Sequence, residues 1–346
     1  MIKTKGYAAV FSGVIMFVFL LVFTEEFKTG FSDGLAKCAE IVIPSLFPFL
    51  IAASLSGNGE LPPKISRLIS PITRLLFGLP SEIIFAVVLG QLGGYLSGAK
   101  SAQSIYSSGK ISRSQAEKLM LFCINPGIGF AVNAVGSIML SSRNSGRIIF
   151  ASICISSFLC GIISKFLPCT ESPKSKSENK SVPFSTAVVN SVSSGAFSLL
   201  TACAFVCLFS GVVGVIEAYI HNENIKTAGI CLLEITNGCF YASKELSLPL
   251  ISAICAFGGL CVHMQIFAVA DNFRIRLPLF YFFRILHSIL AFLVCNFILR
   301  IFPAEIQTMI NITPEAQLWS FSAPASISML FLSALLILDL DNKRKI

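Results

Sequence analysis

The sequence predicts an all-α polytopic membrane protein. Its two inverted repeats, with broken helices or re-entrant hairpins, lie between one N-terminal and one C-terminal transmembrane helix. Hydrophobic residues make up 54% of the 346 residues and charged residues only 13%, which is too little charge for the surface of a soluble domain. Several apolar stretches are as long as a bilayer is thick, and an interrupted apolar pattern occurs twice along the chain.

The first predicted transmembrane helix is the N-terminal stretch Tyr7–Phe23. It follows two lysines, as a signal peptide would, but no small-residue cleavage site ends it, so we expect it to be retained. Four further stretches reach the roughly 20 residues that cross a hydrocarbon core. They are Arg147–Leu167, Leu199–Ile220, Pro278–Phe302 and Trp319–Leu338.

Shorter apolar segments with internal helix breakers lie between these stretches. They are Ile41–Leu55, Ile83–Leu96, Ile124–Leu140 and Leu248–Ala270. A broken helix exposes backbone groups that lipid cannot satisfy, so we expect these segments to pack against protein or a wet cavity. The sequence leaves open whether they cross the membrane or re-enter from one side.

The repeated pattern consists of two motifs in each half of the chain. Gly94–Lys100 (GYLSGAK) and Cys123–Asn133 (CINPGIGFAVN) correspond to Gly238–Lys244 (GCFYASK) and Cys255–Gln265 (CAFGGLCVHMQ). The Gly-to-Lys and Cys-to-amide spacings are the same, and both second motifs contain a small-residue break. Corresponding interrupted segments in two halves indicate the substrate site of a transporter.

The repeat divides the chain into five predicted segments. They are the N-terminal transmembrane helix (residues 1–28), the first inverted repeat (29–167), a cytoplasmic linker (168–183), the second inverted repeat (184–302), and a C-terminal transmembrane helix with a basic tail (303–346). The linker is rich in Ser, Lys and Pro, a composition that buries too little apolar surface to fold.

The distribution of basic residues predicts the orientation of the repeats. Lysine and arginine cluster at the N-terminus, in the linker and in the tail, which the positive-inside rule places in the cytoplasm. The first repeat then begins outside and ends inside, and the second does the reverse. Parallel repeats would need an additional crossing. The net charge of +8 forms no basic stripe with interleaved aromatic residues, so we expect no binding of nucleic acid.

Glu234 is predicted to bind a coupling ion. A carboxylate beside an apolar stretch is costly unless it is paired, hydrated or bound to a cation. The hydroxyl of Thr236 and the amide of Asn237 would assist, and Gln91 takes the corresponding place in the first half. The alternative is that Glu234 is simply the first residue inside the membrane interface.

Lys100 and Lys244 share one repeat position and are predicted to bind an anionic substrate. The alternative is that both snorkel to the interface. The helix breaks would add backbone N–H groups at half-helix starts, which attract carboxylates. For His263 the alternative is a core histidine. The predicted substrate-binding set is completed by Asn125, Gly127, Asn133, Thr236, Asn237, Gly258, Gly259, His263 and Gln265.

The sequence predicts no catalytic residue, no metal site and no cofactor other than a coupled H⁺ or Na⁺. The twelve cysteines lie mostly in apolar stretches without a CxxC pair, which is typical of small buried residues. No nucleophile elbow or phosphate loop occurs, so we do not expect an enzyme. Ser112–Met120 is predicted to be an interfacial helix, because Ser112 and Gln115 have capping-box spacing.

Four motifs resemble the nucleoside-recognition (Gate) family, which includes concentrative nucleoside transporters, and within it the sporulation integral membrane proteins of the YlbJ or SpoVV type. They are Ile43–Phe49 (IPSLFPF), Gly94–Lys100, Leu233–Gly238 (LEITNG) and Phe257–Gln265. The resemblance implies a role in endospore formation, in which dipicolinic acid leaves the mother cell across the outer forespore membrane. Dipicolinate is a planar dianion, in agreement with the lysines and helix-start amides.

The leading hypothesis is therefore an alternating-access carrier of a small carboxylate, specifically an exporter of dipicolinate. A second hypothesis is a carrier of a nucleoside or another small polar solute, coupled to Na⁺ or H⁺. A third is a membrane assembly factor for spore maturation that transports nothing. The expected partners are the anionic solute and the lipid bilayer, and a homo-oligomer and the direction of transport are left open.

Overall fold

The computed structural model describes residues 2–57, 61–169, 183–271, 273 and 275–302. All regular structure in these ranges is helical, as the sequence predicts. By length and composition, five helices among these residues can cross a membrane, or six if one sharply bent pair counts as a single span. The predicted C-terminal helix Trp319–Leu338 lies outside the described residues, as does most of the linker.

The first half of the chain ends in a long helix, as expected from Arg147–Leu167. Its elements in order are α1 (Ile2–Val22), α2 (Thr24–Lys37), a π-helical turn (Cys38–Val42), α3 (Ile43–Leu55), α4 (Pro63–Phe77), a 3₁₀ turn (Ser81–Ile83), α5 (Ile84–Leu92), α6 (Tyr95–Ser107), α7 (Arg113–Leu119), a π-helix (Gly129–Met139) and α8 (Arg143–Ser164).

The second half has a similar order of long and broken helices, but its described residues contain no counterpart of α4. Its elements are α9 (Phe184–Tyr219), α10 (Glu223–Leu233), α11 (Ile235–Glu245), α12 (Leu248–Phe257), α13 (Gly259–Val269) and α14 (Leu277–Ile301). In each half a long helix comes first. Two short helices separated by a break follow it, then a second broken segment, and a long helix ends the half. The inverted relation of the two halves stays a prediction.

The segment with Pro44 and Pro48 differs from the sequence-based expectation. A short, broken piece was predicted, but Thr24–Leu55 forms one candidate span of 32 residues. The π-helical turn Cys38–Val42 ends two residues before Pro44. Proline has no amide hydrogen to donate, and the wider π turn accommodates the missing hydrogen bond, so the helix continues.

Helices α2 and α9 cross at small residues. Gly30 and Gly34 on α2 face Ser210 and Gly214 on α9, four residues apart in each helix. A Cβ atom at Gly34 would lie 2.9 Å from the Cα atom of Cys207, and one at Gly30 would lie 3.0 Å from the Cα atom of Gly214. Such spacing of small residues lets two membrane helices approach to backbone contact.

The two halves of the chain interlock through the short helices of the second half. Helix α13 packs against α6 and α9, whereas α12 packs against α8 and α14. Helix α6 also packs against α3. The breaks in both halves therefore lie in the interior of the bundle, between long helices.

Helix α7 has the predicted capping box. The Gln115 amide donates to Ser112 Oγ (3.2 Å), and the Ser112 amide donates to Gln115 Oε1 (2.8 Å). The last turn of α7 is buried. There, Glu117 Oε2 accepts a hydrogen bond from Arg276 Nε at 2.9 Å. Burial also lowers the pKa of the Lys118 ammonium, which donates to two backbone carbonyls at the end of α8.

The close approach of α2 and α9 gives a prediction for Gly34→Ala. The added methyl group would overlap the α9 backbone, and overpacking of this kind typically costs about 1–3 kcal/mol. We expect a lower midpoint of thermal unfolding for the purified protein in detergent. Gly229→Ala on α10 is the control, since a Cβ atom there meets nothing within 4 Å; an equal loss in both variants would contradict the close packing.

Candidate functional site

Four breaks in the helices form the centre of the candidate site, and they pack in two pairs. In the first half, the loop at Gly127 lies on the α5–α6 break, and a Cβ atom at Gly127 would be 3.0 Å from the Gly94 nitrogen. In the second half, Gly259 lies on the α10–α11 break, and a Cβ atom at Gly259 would be 3.2 Å from the Leu233 carbonyl oxygen.

Glycine is needed at three of these positions. Gly94, Gly258 and Gly259 have φ angles of 101°, 92° and 76°, in a region that side chains with a Cβ atom rarely adopt. The predicted breaks at Gly258 and Gly259 are thus confirmed as a turn between α12 and α13. Instead of starting a helix, Asn125 and Gly127 lie in an irregular loop, and the following helical segment is the π-helix Gly129–Met139.

Tyr95 joins the breaks of the two halves. Its hydroxyl donates to the Cys255 carbonyl on α12, and a Cβ atom at Gly258 would lie 3.2 Å from its ring. The side chain is buried and lies within electrostatic range of both Arg284 and Glu234. The candidate site is therefore continuous across the two halves.

A buried polar cluster fills the first-half side of the site. Ser157 on α8 donates to the Phe122 carbonyl at 2.6 Å and accepts from Gln91 Nε2 at 2.8 Å and from Asn125 Nδ2 at 3.0 Å. The side-chain oxygens of Gln91 and Asn125 have no hydrogen-bond partner among the described residues. The structure thus brings these two predicted residues together and leaves acceptors available in the interior.

Arg284 on α14 is the most unusual residue of the site, and the sequence-based prediction missed it. Its side chain is fully buried, and its Nη1 and Nη2 atoms donate to the carbonyls of Ile124 (2.7 Å) and Leu121 (2.8 Å). Its Nε atom has no partner, and no carboxylate pairs with it in the described part of the chain. The sequence does contain a signal for this residue, since an arginine in the middle of the apolar stretch Leu277–Ile301 is unusual. Charges inside membrane segments usually mark function.

A second polar cluster surrounds Glu234. The side chain is 1% exposed, and its two carboxylate oxygens accept from the backbone amides of Thr236 (2.9 Å) and Asn237 (2.8 Å). Glu234 thus caps the N-terminus of α11, where the helix dipole favours a negative charge. Asn237 accepts from the Lys37 ammonium and donates to Ser210 Oγ at 3.4 Å. Binding of a coupling ion at Glu234 stays a prediction.

Two buried histidines lie near Arg284. His263 Nε2 lies 2.8 Å from the Phe257 carbonyl oxygen, and its ring is surrounded by Phe257, Phe280 and Tyr281. His287, which the sequence-based prediction did not single out, lies 3.2 Å from the Ile153 carbonyl oxygen. In both rings Nδ1 lacks a partner among the described residues, so each has one nitrogen available for a hydrogen bond.

The two predicted lysines are less buried than the central residues of these clusters. Lys244 is exposed, with its Nζ atom 4.2 Å from the centre of the Phe240 ring on the same helix. Lys100 is half-buried and within electrostatic range of Asp271. Of the predicted amide residues, Asn133 is exposed on the π-helix, whereas Gln265 is buried and its Nε2 atom lies 3.2 Å from Cys261 Sγ.

Ser157→Ala tests whether the first-half cluster depends on one hydroxyl. The change removes the acceptor of Gln91 Nε2 and one of the two acceptors of Asn125 Nδ2, which also donates to the Phe122 carbonyl at 3.0 Å. Leaving the buried Gln91 amide without its partner costs about 1–3 kcal/mol. Ser156→Ala is a matched control, since this neighbour is equally buried but bonds only to a carbonyl of its own helix. We expect thermal unfolding to shift downward for Ser157→Ala well beyond the control. Equal midpoints for the two variants would show that the cluster does not stabilise the site.

Comparison with known proteins agrees with the resemblance found in the motifs. The chain is similar to the sporulation integral membrane protein YlbJ of Bacillus subtilis (strain 168), with 32% identity over 120 residues. This match covers 32% of the chain and 29% of the length of that protein. No family model matches the chain, and no solved structure matches it. Together with the long apolar helices, the similarity identifies an integral membrane protein that resembles a sporulation protein over about a third of its length.

Proposed function

We propose that this protein is a carrier that moves a small carboxylate across a membrane. The observation that carries the proposal is Arg284, a buried guanidinium beside two helix breaks with no carboxylate partner in the described part of the chain. Burying an unpaired charge is costly. The carboxylate of a substrate would supply the missing negative charge, and guanidinium groups bind carboxylates with two parallel hydrogen bonds.

The surroundings of Arg284 support recognition of a flat, polar anion. The available oxygens of Gln91 and Asn125 and the available nitrogens of His263 and His287 offer hydrogen bonds to the rest of the solute. Phe280 lies against the guanidinium, with the ring centre 5.7 Å from its central carbon, and aromatic walls suit a planar ring.

Lys100 and Lys244 have a different role in this proposal. Because one is half-buried and the other exposed, they would attract the anion towards the bundle and leave the final contact to Arg284. Such steering raises association rates and weakens with added salt.

Dipicolinic acid is the substrate that we favour. The similarity to YlbJ, a sporulation integral membrane protein, supports a role in sporulation, and a planar dianion fits a cationic, partly aromatic site. We propose that the carrier acts in the outer forespore membrane by alternating access, exporting dipicolinate from the mother cell. The paired breaks support this mechanism, because broken helices at membrane depth commonly surround a transporter's substrate.

The second candidate function is a carrier of a nucleoside or another small polar solute, coupled to Na⁺ or H⁺. The buried carboxylate of Glu234 favours it, since an intramembrane carboxylate is a common site for a coupling ion. The unpartnered amide oxygens of Gln91 and Asn125 would also suit a neutral solute.

Dipicolinate flux into proteoliposomes distinguishes these functions. We expect flux with the unaltered protein, and a loss of at least about tenfold in Arg284→Gln, which corresponds to roughly 1.4 kcal/mol. Arg300→Gln removes the same charge from the exposed last turn of the same helix and is the matched control. Arg284→Lys keeps the charge and should retain part of the flux.

Other outcomes point to the alternatives. Uridine uptake that needs a Na⁺ or H⁺ gradient and is lost in Glu234→Gln would favour the second candidate. Full dipicolinate flux in a folded Arg284→Gln variant would contradict the role of Arg284. No flux of either solute, with protein that elutes as a single folded species, would favour an assembly factor.

A further inference from the structure

Helix α4 has three distinct faces. The buried face contains Thr73 and Phe77, and the Phe77 ring stacks on Phe122 with 4.7 Å between the ring centres. A second face presents an apolar stripe that nothing in the described part of the chain covers. Its residues are Ile65, Leu68, Ile72 and Leu75, which are 45% to 71% exposed.

The third face of α4 is basic. It contains Lys64, Arg67 and Arg74, and the helix has no acidic residue. Arg67 and Arg74 border an open depression of about 620 Å³, which is lined further by Pro63, Ser66, Ser70 and Pro71. Its side chains offer guanidinium and hydroxyl donors, a set that suits an anion with several oxygens, such as a phosphate group.

The direction of α4 brings these faces to a membrane surface. The axis of α4 makes an angle of 87° with the helical segment Ser81–Leu92 that follows it. Gly78, with a φ angle of 65°, ends α4, and the chain then turns into the apolar α5. If α5 runs into the bilayer, α4 lies along its surface, with one face towards the acyl chains and another towards the headgroups.

Lys165 at the end of α8 and Lys118 on α7 add positive charge beside α4. Lys165 Nζ donates to the Leu75 carbonyl at 2.9 Å, and a Cβ atom at Gly78 would lie 3.6 Å from Lys118 Nζ. Clusters of basic residues next to an apolar surface favour anionic lipids over neutral ones. A soluble anion would use the depression alone, whereas a phospholipid uses both the depression and the adjoining stripe.

We propose that α4 is a binding surface for an anionic phospholipid. The apolar stripe contacts the acyl chains, and Arg67 and Arg74 hold the headgroup phosphate in the depression between them. This inference does not depend on the transported solute, because Arg67, Arg74 and the apolar stripe lie on exposed faces of α4, whereas Arg284 is fully buried.

Brominated lipids test the proposal in the whole protein. The chain contains a single tryptophan, so Trp319→Phe combined with Leu68→Trp places the only tryptophan on the stripe. The protein is reconstituted in phosphatidylcholine vesicles with a minor, equal fraction of either dibrominated phosphatidylglycerol or dibrominated phosphatidylcholine. We expect the brominated phosphatidylglycerol to be enriched at the tryptophan by roughly tenfold over its bulk fraction, and to quench correspondingly more.

Adding Arg67→Gln and Arg74→Gln should make the two brominated lipids quench equally while quenching itself remains. Arg143→Gln with Arg147→Gln is the matched control, because it removes the same charge from exposed positions at the opposite end of α8. This control should keep the preference for phosphatidylglycerol.

Three outcomes would overturn the proposal. No quenching by either lipid would show that the stripe does not face acyl chains. Equal quenching before any arginine is replaced would show that the surface does not select anionic lipid. A preference abolished by inorganic phosphate, but not by chloride at equal ionic strength, would identify the depression as a site for free phosphate.

Discussion

Within a bilayer, every backbone N–H and C=O group must find its partner inside the protein. In the described part of the chain, helices break at four interior places, and each break is covered by another part of the bundle. Two buried charged side chains, Glu234 and Arg284, meet this need with opposite signs. Glu234 accepts from the first amides of α11, whereas Arg284 donates to the carbonyls of Leu121 and Ile124. The remaining packing of the site follows from these contacts.

Arg284 also ties the two halves together, since it lies on α14 and bonds to the loop between α7 and the π-helix of the first half. Tyr95 makes the reciprocal link from α6 to Cys255 on α12. In the proposed carrier, a carboxylate that takes over the hydrogen bonds of Arg284 would release the Leu121–Ile124 loop. Substrate binding and movement of one half against the other would then be coupled through a single side chain.

The sequence allowed the all-helical class, most long helices and the breaks at Gly94, Asn125–Gly127 and Gly258–Gly259 to be predicted, because composition and glycine placement act locally. The break at Glu234 was not predicted. The sequence did not reveal that Thr24–Leu55 continues past Pro44, since a π-helical turn is a local adjustment without a clear pattern. Arg284 could have been recognised as a charge inside an apolar stretch. The convergence of Gln91, Asn125 and Ser157 could not, because it depends on how three segments pack.

The π-helix Gly129–Met139 has a mechanical consequence. Its eleven residues pair their backbone groups in a wider, shorter coil than an α-helix would. Because π-helical turns occur frequently at functional sites, this segment would be the natural place for a change of length in the proposed carrier. Conversion of part of it to an α-helix would lengthen the segment after Gly127 while its backbone groups stay paired within the coil.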